Sequence, residues 1–363
     1  MKKTYFIILG IIICFLAGLF LIQLTMRKAD AETEDKKIAL LMNGSRDDLS
    51  YCQAQYEGMR RYELGSGATV TYYDNVQPDE RFTKLVKELI TAGYGIIVCD
   101  SYVYEPLILE LAEQYPDIYF LNATGTQSAG NYCSYLGRVY QVRYLTGIVA
   151  GKSTKTNKIG YIIASPTPET IRQANAFTIG VRKVNPDAVV YVRYTNNWNN
   201  DKIAQTVTRK LIKEQEIDVL TLQTNTIMPL KVADENGILT IGNNRDNHEL
   251  FPDTYLTACV FDWSPFFADR ISECNRNRLI GKHYWEGMDT GLVEMAPMTD
   301  LVDEGTKQIV EEETAKIIEG SYDIFFGPVF DAKGTERVRR GENLPDSELL
   351  THMDWYVEGV DAK

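Results

Sequence analysis

Aromatic and polar side chains that could hold a small molecule occur directly after apolar runs of strand length. Asp100 and Tyr102 follow one such run, Trp198 follows a second and Asn225 follows a third. Aromatic rings stack on a flat ligand, while carboxylates and amides form hydrogen bonds with its edge. These residue types favour a site for a small, neutral, flat ligand with hydroxyl groups. The alternative interpretation is that they are ordinary loop-capping residues and half-buried tyrosines.

The elements that would position these side chains are strands, because ligands of open α/β sheets bind outside the carboxyl ends of the strands. That rule selects the segments 43–50, 99–104, 122–126, 164–169, 195–201, 223–228 and 242–247. Cations are scarce in these segments, where only Arg46 and Arg245 could meet an anion.

The sequence lacks the spacings of common catalytic and metal sites. The three histidines form no HExxH motif or other zinc spacing, and no GxSxG nucleophile elbow occurs. The adjacent Asp47 and Asp48 stand at a helix start, where capping is a more frequent role than catalysis. Residues 147–154, GIVAGKST, look like a phosphate loop, but three residues separate the glycines where the Walker motif has four. We therefore predict no enzyme activity, no metal and no cofactor.

Apolar runs of strand length alternate with segments of helix length, a pattern typical of βαβ units and parallel sheets. Strands are predicted at 38–43, 68–74, 95–100, 118–123, 159–164, 189–194, 218–223, 238–243 and 254–263, and helices at 79–92, 106–114, 168–184, 201–214, 230–236, 264–278, 301–319 and near 345–357. The 363 residues are enough for two cores. We predict an α/β fold of two doubly wound parallel-sheet lobes joined by a hinge.

Residues 144–161 are the stretch where the first half ends and the second begins. Gly147 is small enough for close helix packing, and Gly151 is placed to end a helix before a new strand starts. On this basis lobe 1 is predicted to contain residues 37–150 plus about 255–280, and lobe 2 residues 151–250 plus about 285–363.

The N-terminus and the net charge bear on location and partners. Residues 5–26 carry no charge and follow two lysines, and the run exceeds the ~7–15 residues of a signal-peptide core and reaches the ~20 of a spanning helix. We predict that residues 1–31 are an uncleaved membrane anchor, the alternative being a long signal peptide that ends near residues 29–31. The net charge of −12 argues against a nucleic-acid partner, which would need a basic surface.

The cysteines show no metal or redox spacing. Cys52, Cys99, Cys133, Cys259 and Cys274 form no CxxC pair. Their odd number leaves at least one unpaired unless it bridges to another chain. Buried free thiols are the favoured interpretation, and the spacing determines no pairing.

Several segments carry a common family pattern in order along the chain. The most specific is YLTGIVAGKSTKTNKIGYI at 144–162, and the others are DLSYCQAQYEGMRR (48–61), YPDIYFLNA (115–123), GVRKVNPDAVVYVRYTNNW (180–198), VADENGILTIG (232–242), GLVEMAP (291–297) and MDWYVEGV (353–360). Through these segments residues 37–360 resemble the basic membrane protein (BMP) family of bacterial substrate-binding proteins.

This resemblance implies a type I periplasmic-binding fold and a receptor outside the cytoplasm, of the kind that serves nucleoside ABC importers. Carried over residue by residue, it implies ligand contacts from Asp48, Tyr51, Trp198, Asn244 and Asp246. The sequence departs from the family pattern at three places. The family has Phe-Asn at the helix start where this chain has Tyr51-Cys52. The first aspartate of the family's Asp-x-Asp is Asn244 here, and the lysine that nucleoside receptors carry in the crossing strand is Phe261. The segment FDWSPFFADRI is similar to a W-D-W-G-x-Y-Y signature of some family members.

The expected function is therefore that of an extracytoplasmic solute-binding protein of an ABC importer, anchored at the outer face of the cell membrane by its N-terminus. Its lobes would close on a small neutral, nucleoside-like ligand, and its partner would be an ABC permease. Two alternatives stay open: a ligand-sensing receptor domain for a membrane signalling partner, and a degenerate family member without a ligand.

Overall fold

The structure is a computed structural model that describes residues 35–363, so the predicted anchor at 1–31 lies outside the described residues. Numbered along the chain, the strands are β1 Lys37–Leu41, β2 Val70–Tyr73, β3 Tyr94–Cys99, β4 Tyr119–Ala123, β5 Tyr132–Gly137, β6 Lys158–Ile163, β7 Val189–Tyr194, β8 Val219–Gln223, β9 Leu239–Asn244, β10 Tyr255–Phe261, β11 His283–Glu286, β12 Val293–Met295, β13 Val329–Phe330, β14 Glu336–Val338 and β15 Val360–Ala362.

The α-helices are α1 Tyr51–Ser66, α2 Glu80–Thr91, α3 Glu105–Gln114, α4 Tyr140–Ser153, α5 Pro168–Val184, α6 Asp201–Gln215, α7 Met228–Asp234, α8 Ser264–Asn275 and α9 Glu304–Ile318. Among the residues from 35 onward, no helix has the length and apolar character needed to cross a membrane.

The strands form two large sheets that repeat one topology. The first sheet has the order β11-β5-β4-β3-β1-β2 and is parallel throughout. The second has the order β12-β10-β9-β8-β6-β7-β15, in which only β12 is antiparallel to its neighbour. Apart from the added edge strands, each sheet shows the doubly wound order 2-1-3-4-5, with switch points between β1 and β3 and between β6 and β8. The predicted α/β fold with two parallel sheets is confirmed, and we call each sheet with its packed helices a lobe.

The last third of the chain passes between the two lobes. Strand β10 pairs with β9 in the second sheet, helix α8 packs against α1 in lobe 1, β11 joins β5 in the first sheet, and β12 returns to β10. The predicted boundaries, which assigned 255–280 to lobe 1 and 285–363 to lobe 2, differ from this pairing at β10 and β11. Pairing of a crossing strand depends on residues far away in sequence, which local apolar periodicity does not report.

Helices α4 and α5 approach so closely that their backbones touch at two glycines. A methyl group on Gly147 would lie 2.0 Å from the carbonyl oxygen of Phe177, and one on Gly180 would lie 1.9 Å from that of Tyr144. The close packing predicted for Gly147 is confirmed. The prediction that Gly151 ends the helix is wrong, because α4 continues past this residue and packs it against α5.

The five cysteines of the described chain, Cys52, Cys99, Cys133, Cys259 and Cys274, are buried free thiols. Burial raises the pKa of the Cys274 thiol to about 12. Thiols in such surroundings stay protonated at neutral pH and are correspondingly inert.

A buried carboxylate links three helices of lobe 2. Glu313 of α9 accepts hydrogen bonds from Tyr144 Oη of α4 at 2.6 Å, from Lys183 Nζ of α5 at 2.9 Å and from Lys316 Nζ at 2.7 Å. Burial opposes ionisation, but the bonds from Lys316, Tyr144 and Lys183 outweigh it and lower the pKa of Glu313 to about 2.

Replacing Glu313 by glutamine is expected to lower the free energy of unfolding at pH 7 by about 2 kcal/mol, because two ammonium groups lose their charged partner. The folded-state pKa lies below the unfolded one, so the wild-type advantage is present above the unfolded pKa and is lost as the pH falls toward about 2. Urea unfolding at pH 7 and pH 3 measures this difference. Glu312→Gln, at an exposed position of the same helix, is the control, and equal losses in both variants would contradict the assignment.

Candidate ligand-binding site

A cavity lies where the carboxyl ends of the two sheets face each other. Asn43 follows β1 and Asp100 follows β3 in lobe 1, while Gln223 ends β8 and Asn244 ends β9 in lobe 2. The cavity has a volume of about 120 Å³, several times the roughly 10–15 Å³ that one water molecule needs. A space of this size between two lobes suits one small molecule held by both.

Six of the eight residues predicted as ligand contacts lie in the wall of this cavity. They are Tyr51, Asp100, Tyr102, Trp198, Asn225 and Asn244. The other two, Asp48 and Asp246, lie outside it.

The two outlying carboxylates are held by groups of the protein. Asp48 accepts the backbone N–H groups of residues 50, 52 and 53 at distances of 2.8–3.0 Å, so it caps the start of α1. Asp246 lies in a separate surface depression, where it accepts hydrogen bonds from the backbone N–H and from Nδ1 of His248.

Asp100 places a buried carboxyl group in the lobe 1 wall. Its Oδ1 accepts the backbone N–H of Asn43 at 3.0 Å, and its Oδ2 accepts the thiol of Cys52 at 3.2 Å. Burial raises the pKa of Asp100 to about 7, although these two hydrogen bonds oppose the shift. The group is therefore partly protonated at neutral pH.

Asp100→Asn is expected to change how stability depends on pH. A carboxyl whose folded-state pKa exceeds its unfolded value stabilises the fold most at low pH, and this contribution is lost as the pH rises through the folded pKa of about 7. Between pH 5.5 and pH 8 the wild type should therefore lose on the order of 2 kcal/mol relative to the variant. Denaturant unfolding across this range measures it, with the exposed Asp47→Asn as control; parallel curves for wild type and Asp100→Asn would refute the expectation.

Three aromatic rings form a stiff apolar part of the wall. Phe261 and Trp263 are stacked, with ring centroids 4.5 Å apart and planes 14° from parallel. Tyr51 meets both rings edge-on, at 6.4 Å from each. A flat ligand can pack on such a surface at little entropic cost, because the rings already fix one another.

The rim of the cavity is held by backbone contacts. The backbone N–H of Asn225 donates to the carbonyl oxygen of Trp198 at 2.9 Å, which joins the loops after β7 and β8. The backbone N–H of Tyr102 donates to Thr124 Oγ1 at 2.9 Å, while its ring is about half exposed.

Arg143 of α4 organises the lobe 2 wall from behind. This arginine is fully buried, and its guanidinium donates to Gln173 Oε1 at 3.1 Å, to Asn243 Oδ1 at 2.5 Å, to Thr221 Oγ1 at 3.1 Å and to the carbonyl oxygen of Leu222 at 2.9 Å. Because a guanidinium can only donate, it holds the two amide oxygens toward itself. The amide N–H group of Asn243, a cavity-lining residue, is thereby left for a ligand.

The electrostatics of the cavity favour an uncharged ligand. No lysine or arginine occurs among the described residues that line it. Arg46 and Arg245, which could have met an anion, pair instead with Asp74 at 2.8 Å and with Glu57 at 3.1 Å. Burial also raises the pKa of Glu169, a further lining carboxyl, so the wall carries less negative charge than its composition implies.

The lobes touch each other beside the cavity. Asn244 Nδ2 of lobe 2 donates to Ser50 Oγ of lobe 1 at 3.0 Å, and Asn247 Nδ2 donates to the carbonyl oxygen of Leu49 at 3.0 Å. The amide at position 244, where the family pattern has a carboxylate, thus makes a contact between lobes.

Comparison with known proteins identifies the family. Residues 35–322 match the model of the Bmp family, described as ABC transporter substrate-binding protein PnrA-like. The chain belongs to this family. A purine-binding protein of Brucella abortus is 32% identical over 336 residues, which cover 92% of this chain and 95% of that protein. Bmp proteins are substrate-binding proteins of ABC transporters rather than enzymes.

Solved structures agree on the fold. A transcriptional activator of the comK gene from Bacillus halodurans superposes with a TM-score of 0.71 at 21% identity, over 79% of this chain and 99% of that one. An ABC transporter solute-binding protein from Conexibacter woesei gives a TM-score of 0.67 at 18% identity, over 79% and 98% of the two chains. The two lobes are therefore those of a periplasmic-binding-protein-like fold.

The residues chosen one by one from the sequence leave out several residues that form or support the wall, among them Phe261, Trp263, Gln223 and Arg143. The signature-like segment around Phe261 and Trp263 was the signal for the aromatic pair. Gln223 stands at the end of a predicted strand and could have been chosen on that ground. No local signal distinguishes Arg143 from the other arginines of the chain, since its role depends on which strands α4 packs against.

Proposed function

We propose that this Bmp protein is the extracytoplasmic solute-binding subunit of an ABC importer, and that its lobes enclose a small, uncharged, purine-like or nucleoside-like ligand. The observation that carries the proposal is the make-up of the cavity wall, which combines aromatic rings and side-chain amides from both lobes and lacks lysine and arginine among its described residues. An ABC permease is the proposed partner, and residues 1–31 are the proposed membrane tether.

The wall favours a flat heterocycle over other small solutes. The stacked pair of Phe261 and Trp263 offers an aromatic surface, and Trp198 faces the same cavity from the other lobe. Stacking on such rings is available to any planar base, and amides such as Asn243 supply hydrogen bonds to its edge. The name of the Brucella abortus relative, a purine-binding protein, supports the same ligand class.

We propose that the membrane partner recognises the form in which the lobes are closed. A ligand that contacts both lobes shifts the equilibrium toward the closed form by its differential affinity for the two forms. The contacts between Asn244 and Ser50 and between Asn247 and Leu49 are available only when the lobes are close together. The ligand-bound form would therefore present a distinct surface to the permease.

Isothermal titration of the full chain in detergent tests this function. The probes are adenine, hypoxanthine, adenosine, inosine, glucose and adenosine monophosphate at pH 7. At least one purine compound should bind with a Kd in the micromolar range or below, and the monophosphate should not, because no cation lines the described cavity to offset burial of a phosphate. Absence of heat with every probe, and no small molecule co-purifying with the protein in native mass spectrometry, would reject the proposal.

Trp198→Ala should weaken binding of the best purine probe about 10- to 100-fold, because loss of one base–aromatic stacking contact costs roughly 1–3 kcal/mol. The same titration measures it. Phe330→Ala removes a partly exposed ring outside the cavity and should leave the affinity unchanged. Equal affinities of wild type and Trp198→Ala would show that Trp198 does not stack on the ligand.

Sensing for a membrane signalling partner is the second candidate, and the uncharged stretch at 5–26 favours it because an uncleaved anchor could couple the receptor to such a partner. Crosslinking in membranes followed by mass spectrometry separates the two. Capture of an ABC permease supports import, whereas capture of a histidine kinase or other sensor supports the second candidate.

A further inference from the structure

Two buried polar atoms of residues that line the cavity have no hydrogen-bond partner among residues 35–363. They are the indole Nε1 of Trp263 and the amide Oε1 of Gln223, and both side chains are at least 97% buried. Buried polar groups are almost always hydrogen-bonded, because leaving one unpaired costs free energy. One unpaired donor and one unpaired acceptor in the same wall therefore call for a molecule that supplies the complementary pair.

The carboxylates near the cavity are poorly suited to hold a sugar. Vicinal hydroxyl groups donate two hydrogen bonds, and an ionised carboxylate is their natural acceptor. Each oxygen of Asp100 already accepts one bond, from Asn43 or from Cys52, and burial raises the pKa of this group to about 7, so it is partly protonated at neutral pH. Asp48 accepts three backbone N–H groups, and both Asp48 and Asp246 lie outside the cavity.

Glu169, the other carboxyl group of the wall, has one of its two oxygens already hydrogen-bonded within the protein. Glu169 Oε1 accepts a hydrogen bond from Gln173 Nε2 at 3.3 Å, and burial raises the pKa of this group, which favours its protonated form. A wall of this kind offers donors and acceptors for a planar edge, but no free carboxylate for a pair of hydroxyls.

We infer that the site selects a free planar heterocyclic base over the corresponding nucleoside, with Trp263 Nε1 donating to a ring nitrogen or carbonyl of the base and Gln223 Oε1 accepting from its N–H group. This inference rests on the proposed solute-binding function and adds the class of ligand and two residues that determine specificity. It also places the amide N–H of Asn243, which Arg143 orients, as a further donor to the base.

Titration of the full chain in detergent with adenine against adenosine, and hypoxanthine against inosine, tests the inference. The base of at least one pair should bind 10-fold or more tightly than its nucleoside. Trp263→Phe keeps an aromatic ring but removes the N–H donor with the five-membered ring of the indole, while Gln223→Leu keeps the approximate shape and removes the acceptor. Each variant should bind the base roughly 10- to 100-fold more weakly than the wild type, which corresponds to loss of one buried hydrogen bond.

A second readout separates specificity from structural support. Gln223→Leu removes an unpaired buried polar atom at nearly constant volume, so the Tm of the ligand-free protein should stay the same or rise while affinity falls. Trp263→Phe also leaves a small cavity at a fully buried position, so its Tm should fall slightly and its affinity is the deciding measurement. Trp355→Phe, a matched replacement outside the cavity, should leave affinity unchanged. If one of the two variants fails to fold, the affinity of the other for the base still tests the inference.

The outcomes distinguish the inference from the function on which it rests. Nucleosides that bind as tightly as their bases, or variants with wild-type affinity for the base, overturn the inference and leave the solute-binding function standing. Absence of binding by bases and nucleosides alike overturns both. A lower Tm together with unchanged affinity in the variants assigns Trp263 and Gln223 a structural role and overturns the inference.

Discussion

Replacing Arg143 by leucine is expected to lower the free energy of unfolding by about 3–5 kcal/mol, the largest effect of any single change considered for this protein. Arg143 is fully buried and donates to four acceptors in lobe 2. Leucine would leave all four acceptors without this donor, and each of them belongs to a buried residue. The loss should appear in denaturant unfolding curves at pH 7.

The same replacement should weaken purine binding at least 10-fold, because the amides of Gln173 and Asn243 would no longer be held in one orientation. Arg143→Lys should fall between wild type and Arg143→Leu in stability, since an ammonium group keeps the charge but cannot reach four acceptors. Arg209→Leu, at a mostly exposed position 3.7 Å from Glu235, is the control and should change stability by less than about 0.5 kcal/mol. An Arg143→Leu protein within 1 kcal/mol of the wild type, by the same curves, would contradict this account.

Gly180→Ala is expected to destabilise the protein by about 3 kcal/mol, at the upper end of overpacking effects. The added methyl group would lie 1.9 Å from the carbonyl oxygen of Tyr144, which is backbone and cannot rotate away. Helices α4 and α5 would have to separate, and the contacts along their whole interface would loosen. Gly147→Ala meets the carbonyl oxygen of Phe177 at 2.0 Å and should have a similar effect.

Gly65→Ala provides the matched control for this pair. Gly65 also lies in a helix, α1, but a methyl group there meets nothing within 4 Å. Alanine should therefore stabilise that helix by roughly 0.5–1 kcal/mol. Thermal unfolding of the three variants measures the contrast, and a Gly180→Ala protein as stable as Gly65→Ala would show that the helices do not pack as described.

Local sequence patterns were enough to predict the fold and most of the cavity wall. Strand-length apolar runs separated by helices determine a parallel sheet, and the switch-point rule then places the ends of β1, β3, β8 and β9 around a ligand. Asp100, Trp198 and Asn244 lie in segments that this rule selects, Tyr51 follows from the family resemblance, and all four lie in the wall. The rule works because it needs only the chain order of the strands.

The residues that the sequence did not predict depend on contacts between distant segments. Trp263 lies in a segment where the chain crosses between lobes, and its place in the wall follows from strand pairings that local periodicity does not encode. Arg143 resembles any helical arginine until the strands beneath α4 are known. For Asp48 the local signal was the correct one. Its position at a helix start predicted capping and the family resemblance predicted a ligand contact, and the side chain caps α1.

Asp246 illustrates the limit of a residue-by-residue resemblance. A carboxylate placed after the last strand of lobe 2 matches the family pattern in sequence, yet its side chain accepts hydrogen bonds from His248 outside the cavity. A loop can keep a residue type while turning it toward a different neighbour, so only coordinates separate these cases.

A crystal structure of the protein with its tightest-binding purine would show where the ligand lies and which atoms it contacts. We expect one planar ligand between the lobes, against Phe261 and Trp263, with Trp263 Nε1 and Gln223 Oε1 each about 2.7–3.2 Å from a polar atom of the ligand. A ligand bound elsewhere on the surface, or a complex in which both atoms stay unpaired, would contradict this expectation.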